Sequence, residues 1–283
     1  MYRSELSGAL GGLTRVRCIQ LNDAHIFCTL DQVGDEVAGA LEMIGAAYRA
    51  LGIEEARYRL SLPGSDGKYV AAPEMWQRAG KLLSEALDRA GIGYEAVEGE
   101  AAFYGPKIDV QVRDHAGRES TLSTVQVDLH QPEQFDLHYV GADGGKHRPV
   151  MVHRAIIGSV ERAVAHLIEL HGGAFPAWMA PVQVAVLPVS EAEEAVADEV
   201  RKRCLAADLR VQVIHAEEGS LGARVRAARL APYQFVIGPA ESANGDVAVR
   251  LRDGRRLPAQ PADNAIARIR ALVDNHQTRL WID

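Results

Sequence analysis

The chain has 283 residues, 47% of them hydrophobic and 24% charged, which is enough for a buried core and for two domains. No run approaches the roughly 18 apolar residues that span a bilayer, and MYRSELSGALGG lacks the layout of a signal peptide, so a cytoplasmic protein with no membrane partner is expected. Cys18, Cys28 and Cys204 show no CxxC or zinc-finger spacing and fit reduced thiols; the net charge of -7 falls on the first 180 residues, since Pro181 onward carries 14 basic and 14 acidic side chains.

In chain order, Arg3-Ser4-Glu5 passes through a turn with Gly8, Gly11 and Gly12 into a predicted strand at 13–20. A second strand is predicted at 24–28. Asp23 and His25 are two apart and share a strand face, so they must meet water or a ligand there. Val37, Leu41, Ile44, Tyr48 and Leu51 keep steps of three and four, which predicts a helix over 34–51, and Trp76, Ala79, Leu83 and Leu87 predict another. Strands follow at 58–62, 108–112, 120–128 and 150–157, then a helix with Ser159 and Arg162 in its first turn. Short turns between strands favour a largely antiparallel sheet with helices to one side.

Gly172, Gly173, Pro176 and Pro181 punctuate the next stretch, so residues 1–172 read as one domain, 173–181 as a linker and 182–283 as a second domain. Beyond the linker the pattern predicts strands at 182–189, 209–214, 233–237 and 247–251, and helices at 191–207, 221–230 and 262–273. This is an α/β module.

Four segments of the first domain hold more polar groups than packing needs. The 3–17 hairpin carries Arg3, Arg15 and Arg17, which either grip phosphates or face solvent. Residues 102–108 place Tyr104 and Lys107 around a Gly-Pro turn, and the strand Thr124-Val125-Gln126-Val127-Asp128 carries an amide among aliphatics. Residues 150–162 run from an apolar strand holding His153 to Ser159 and Arg162.

In this order, R-x-E, L-x-R-V-R, D-A-H-I-F-C, A-F-Y-G-P-K-I, T-V-Q-x-D, Y-V-G, V-M-x-H-R-A-I-x-G-S-x-E-R and A-P-V-Q-V resemble class II aminoacyl-tRNA synthetases of the threonyl type over nearly the whole chain. The resemblance implies a class II synthetase-type antiparallel sheet, incomplete here, followed by an α/β anticodon-binding-type domain. It implies a ligase that activates threonine with ATP and Mg²⁺ and transfers it to tRNA. Arg3 and Arg162 would hold the ATP phosphates and act as the catalytic pair; Glu5, Arg15, Lys107, Gln126 and Ser159 would make further ATP contacts. Asp23, Tyr104, Gln126 and Ala155 would form the amino-acid pocket, and Glu241 and Arg250 match anticodon-contacting positions. His25 and His153 align with two ligands of a Zn²⁺ that recognises the threonine amine and hydroxyl, though the same two residues also read as core histidines.

This sequence also departs from that pattern. The family's third zinc ligand, a Cys, lies upstream of R-x-E, as do motif 1 and the editing region, so an incomplete zinc site is expected, with a homodimer or partner chain completing the core. Ile19 stands where an aromatic residue stacks on adenine, Leu21 where the amino-acid site has a Gln, and Cys18 where a Gly is usual. Residues 216–222, A-E-E-G-S-L-G, replace R-N-E-K-[IL]-G, placing Glu217 and Glu218 where RNA bases would approach. The expectations are therefore threonine-tRNA ligase, or a paralogue activating a hydroxy amino acid without charging tRNA, or a non-catalytic remnant binding tRNA or a synthetase.

Overall fold

A computed structural model describes residues 1–54, 56–114 and 116–281 and divides the chain into two compact units, Met1–Leu170 and His171–Asp283. The first unit contains β1 (Leu21–Cys28), α1 (Val33–Leu51), β2 (Ala56–Leu62), α2 (Pro73–Arg89), β3 (Tyr94–Glu98), β4 (Lys107–Arg113), β5 (Glu119–Asp128), α3 (Gln131–Gln134), β6 (Tyr139–Val140), β7 (Lys146–His147), β8 (Val150–Ser159) and α4 (Val160–His171). Its main sheet has the order β1-β8-β5-β4-β2-β3, antiparallel throughout except for the parallel pair β2 and β3.

The stripes seen in the sequence explain how this sheet is covered. Val37, Leu41, Ile44 and Tyr48 of α1 and Trp76, Ala79, Leu83 and Leu87 of α2 are buried, and both helices pack on the sheet. Gly52, at φ 74°, ends α1 in the left-handed conformation, donating to the carbonyls of Arg49 and Tyr48. On the covered face, Leu60, Ile108 and Val125 lie in register with one another and Val127 pairs with Val152, all buried.

The opposite face carries polar residues in register. One row runs His25, His153, Gln126, Lys107, Ser61, and the next runs Asp23, Ala155, Thr124, Asp109, Arg59. Because directly paired residues point the same way, each row presents its side chains together. Between these rows and the end of β8, the register of β1 and β8 shifts: Asp23 pairs with Ala155 but Leu21 with Ser159. The extra β8 residues form a bulge whose Ile156 and Ile157 amides both donate to Asn22 Oδ1, at 3.1 and 3.4 Å.

Several expectations need correction. Residues 13–20 do not form a strand: apart from the buried Ile19 their side chains are largely exposed, and the segment is tied by single bridges such as Tyr2 to Cys18 and Gly11 to Arg15. Isolated bridges without a continuous ladder do not make a strand. Ser159 is the last residue of β8, not part of the helix, and its Oγ accepts the Arg162 amide at 3.2 Å to cap α4. β3 went unread because Tyr-Glu-Ala-Val-Glu carries charges suited to an edge strand.

In the second unit, β9 (Val184–Pro188), α5 (Glu194–Ala206), β10 (Val211–Val213), α6 (Leu221–Ala227), β11 (Tyr233–Ile237), α7 (Pro239–Asn244), β12 (Asp246–Leu251), β13 (Gln260–Pro261) and α8 (Ala262–Asp274) build a sheet of order β10-β9-β11-β12-β13. β10, β9 and β11 are parallel; α5 and α8 cover one face, and α6 meets the cluster on the other. The expected linker does not run free. Ala177 and Ala180 are buried, and Arg210 donates to the carbonyls of Trp178 and Ala180, so 173–181 packs onto this unit. α6 ends at Ala227, and α7 was not anticipated because six residues are too few for periodicity to show.

Gly158 has φ 64°, and a Cβ there would lie 2.3 Å from the Leu122 carbonyl. Gly39 is exposed in α1 with open space around it. Gly158→Ala should therefore destabilise the protein by more than about 2 kcal/mol, while Gly39→Ala should stabilise it by roughly 0.5–1 kcal/mol. Opposite shifts of the urea midpoint are the expected result.

Candidate active site

The open face of the first sheet forms the floor of a cavity of about 350 Å³. Of the residues expected in a site, Arg3, Asp23, Tyr104, Gln126, His153, Ala155, Ser159 and Arg162 line it. Ile19 and Leu21, the two departures, line it too, and so do Thr124 and Gly158, which the sequence did not single out. Thr124 was within reach of the alternation rule, since it lies two residues before Gln126 on the same strand.

Tyr104 is delivered by a turn pressed against β5. A Cβ on Gly105 would lie 2.3 Å from the Val127 carbonyl, so only glycine permits this approach. The Tyr104 hydroxyl donates to Gln126 Oε1 at 2.6 Å, and its ring lies 5.3 Å from that of His153. Burial, then the charges of Asp128 and Asp23, push the phenol up to about 12. Opposite it, Arg162 Nε donates to the Thr14 carbonyl at 3.0 Å, joining α4 to the N-terminal hairpin.

Three expected ATP contacts are engaged elsewhere and do not line the cavity. Glu5 and Arg15 pair with each other at 3.0 Å. Lys107 Nζ is bound to Asp109 Oδ2, which also accepts from Ser61 Oγ at 2.6 Å and lies 3.4 Å from Arg59 Nη2. Asp109 is fully buried, and it was legible as the residue two beyond Lys107 on one strand face.

His25 and His153 face each other across β1 and β8 with ring centroids 4.5 Å apart. Two imidazoles suit two positions of a zinc site. Cys28 cannot join them: it is three residues from His25, on the other strand face, and burial and then the charges of Glu36 and Asp31 push its thiol up to about 11. Among the described residues no group of three or more His, Cys, Asp or Glu could hold a metal ion. Nor is any helix among them long and apolar enough to cross a membrane.

In the second unit, Glu241 Oε2 accepts the Gly238 amide at 3.1 Å and caps α7, while Arg250 lies on β12 opposite Gln234. In the turn at 216–218, Glu218 Oε1 accepts the His215 amide at 2.7 Å.

A largely antiparallel sheet with a cavity on its open face, walled by Arg3 of the N-terminal hairpin and Arg162 of α4 and followed by a five-stranded mixed α/β unit, is the layout of a class II tRNA synthetase core with its accessory domain. Residues 1–171 match the family "tRNA synthetase class II core domain (G, H, P, S and T)" and residues 183–272 match "Anticodon binding domain". Threonine-tRNA ligase of Geobacillus sp. (strain WCH70) is 45% identical over 278 residues, covering 96% of this chain and 43% of the relative. Threonine-tRNA ligase 1 of Bacillus subtilis (strain 168) is 48% identical over 255 residues, 88% of this chain and 40% of the relative. The crystal structure of the RNA binding domain of threonyl-tRNA synthetase from Cryptosporidium parvum Iowa II superposes with TM-score 0.88 at 34% identity, covering 100% of this chain and 70% of that one. The chain belongs to the threonyl-tRNA synthetase family. It spans less than half the length of the two curated relatives.

With the Tyr104 pKa raised, the folded state resists losing the phenolic proton: stability from this group is complete below pH 10 and is lost as pH rises through about 12. Tyr104→Phe should flatten the alkaline fall in stability over that window, and difference absorbance at the phenolate band should show one fewer late-titrating tyrosine.

Proposed function

We propose that this chain forms the ATP- and amino-acid-binding part of a threonine-tRNA ligase together with its anticodon-binding domain. One observation carries the reading: Arg3 and Arg162, far apart in sequence, line one cavity with Asp23, Tyr104, Gln126 and His153. Adenylate formation is an in-line attack of a carboxylate on the α-phosphorus, and charge grows on the phosphate oxygens. Two guanidinium groups suit that transition state, with Mg²⁺ sharing the charge. Asp23 would take the substrate amine, and the Tyr104–Gln126 pair and Ala155 would shape the amino-acid pocket. Glu5, Arg15 and Lys107 would exchange their present partners for ATP, and Ser159 would hold the start of α4 at the nucleotide.

His25 and His153 would hold Zn²⁺ with a ligand from outside the described residues; the metal, when bound, supplies an anchor for the substrate hydroxyl and so discriminates against valine. We assign residues 1–172 to the core and 182–283, with Glu241 and Arg250, to tRNA. Acceptance of tRNA is supported by the match of residues 183–272 to an anticodon binding domain, and the further partners would be a second copy or the portion of the ligase that the relatives carry besides this segment.

A second reading, activation of a hydroxy amino acid without tRNA charging, is favoured by Glu217-Glu218 and by Leu21 in the cavity wall. Glu217→Asn with Glu218→Lys should strengthen tRNA binding at low salt if these acids face RNA. Unchanged affinity would remove that argument.

The ligase reading is tested by amino-acid-dependent exchange of pyrophosphate into ATP. The assay would use this chain joined to the remaining segments of a relative, offered threonine, serine and valine. Arg162→Ala or Arg3→Ala should each lower the rate roughly 100- to 1000-fold, and valine should be rejected. Full activity of the Arg162 variant would overturn the ATP assignment.

A further inference from the structure

Residues 156–158 of β8 leave the ladder on both sides. The last regular pairs join Ala155 to Asp23 of β1 and to Thr124 of β5, and β1 resumes pairing only at Ser159, opposite Leu21. The backbone groups of this bulge must therefore find other partners. Ile156 finds a side chain on each flank. Its amide donates to Asn22 Oδ1 at 3.1 Å, and its carbonyl accepts from Ser123 Oγ, one residue before Thr124. Ser123 is fully buried on the helix-covered face, where its Oγ also lies 2.7 Å from the Tyr48 hydroxyl of α1.

The direction of each bond follows from the groups that make it. A carbonyl can only accept, so the single Ser123 proton goes to Ile156; Ser123 then offers Tyr48 a lone pair, and the phenol is the donor. Burial pushes that phenol up, so it keeps the proton it donates. A directed chain thus runs from Tyr48 to Ser123 to the Ile156 carbonyl, from behind the sheet to the bulge. Gly158, Ser159 and Arg162 follow at once and stand in the cavity wall, with Ser159 Oγ accepting the Arg162 amide.

We propose that Tyr48 and Ser123 are positioning residues: from the covered face they fix the β8 bulge, and through it the place of Ser159 and Arg162 in the cavity wall. Helix α1 thereby acts on the cavity although none of its residues lines it. The chemical role of Arg162 rests on the ligase reading given above; the mechanical link is a property of this chain alone.

Three substitutions separate this role from ordinary packing. Ser123→Ala deprives the Ile156 carbonyl and the Tyr48 hydroxyl of their partner, Tyr48→Phe removes one hydroxyl and keeps the ring, and Ile44→Val trims a fully buried side chain one turn away on α1 without touching the chain of bonds.

Amide hydrogen exchange of the ¹⁵N-labelled full chain, under conditions where every variant is folded, reads the link directly. Ser123→Ala should speed exchange at Ile156, Ile157 and Arg162 roughly 10-fold, with Tyr48→Phe acting in the same direction. The amides of Val125 and Val152, inside the ladder, should keep their rates. The double variant should match Ser123→Ala, because both changes break one chain. An unchanged Arg162 amide, equal acceleration in Ile44→Val, or additive effects of the two hydroxyl variants would each overturn the proposal. If Ser123→Ala does not fold, Tyr48→Phe against Ile44→Val decides it. In the pyrophosphate-exchange assay of the joined enzyme, Ser123→Ala should lower kcat on the order of 10- to 100-fold and leave the KM for threonine unchanged; a kcat equal to that of Ile44→Val overturns the link. An inactive unmodified enzyme would remove the ligase reading and leave the amide rates to decide this one.

Discussion

The site depends on the antiparallel register of β1, β8, β5, β4 and β2. Side chains alternate with period two, so a one-residue slip of any strand would carry its polar residues to the helix-covered face and its valines to the open one. Register brings His25, His153, Gln126 and Lys107 into one row and Asp23, Ala155, Thr124 and Asp109 into the next, from four strands spread over a hundred residues. Burial against α1 and α2 enforces it from behind, since Val110, Val125, Val127 and Val152 are fully enclosed. Burying each such side chain is worth about 1.5–3 kcal/mol relative to exposure, so a slip would cost far more than any polar pairing could return.

A polar sheet face carries its own penalty, and two buried carboxylates offset it. Asp109 gathers Lys107, Ser61 and Arg59; Asp128 gathers His153 and two backbone amides. These groups would be expensive to bury alone, and removing one member of such a cluster leaves the others unpaired at a cost of roughly 3–5 kcal/mol. The arrangement also divides the charged residues by role. Arg3, Arg162 and Asp23 reach the cavity, whereas Lys107 is restrained beside it. The bulge in β8, held by Asn22 and permitted by Gly158, then turns the chain so that Ser159 caps α4 and Arg162 enters the cavity wall.

The second unit uses a buried cation in a comparable way. Arg224 is 2% exposed and donates to the carbonyls of Pro188, Val189, Ile214 and Gly219, tying the ends of β9 and β10 to the start of α6. Glu194 accepts from His215 Nδ1 and from the Ala216 amide, and its hydrogen bond holds the imidazole above its usual pKa. The turn bearing Glu217 and Glu218 is therefore anchored at both ends, with Glu218 engaged in capping it. The acidic residues that distinguish this chain from the family pattern sit on a built surface and not on a loose loop.

The sequence determined the elements with strong periodicity and the ordered motifs. The stripes of α1 and α2, the alternation around Gln126, and the pairing of Asp23 with His25 on one face are local properties, set by the 3.6- and 2-residue repeats of the backbone. Edges and ends were not legible. Residues 13–20 alternate like a strand but make only isolated bridges, and β3 looks too charged for a strand because it lies at an edge. Tertiary structure alone decided which arginines share a cavity, that Lys107 is held by Asp109 and Glu5 by Arg15, and that Asp128 lies behind His153. Those outcomes depend on strand order and register, which join residues by long-range pairing, and a pattern repeating every two or four residues carries no record of which distant strand will lie alongside.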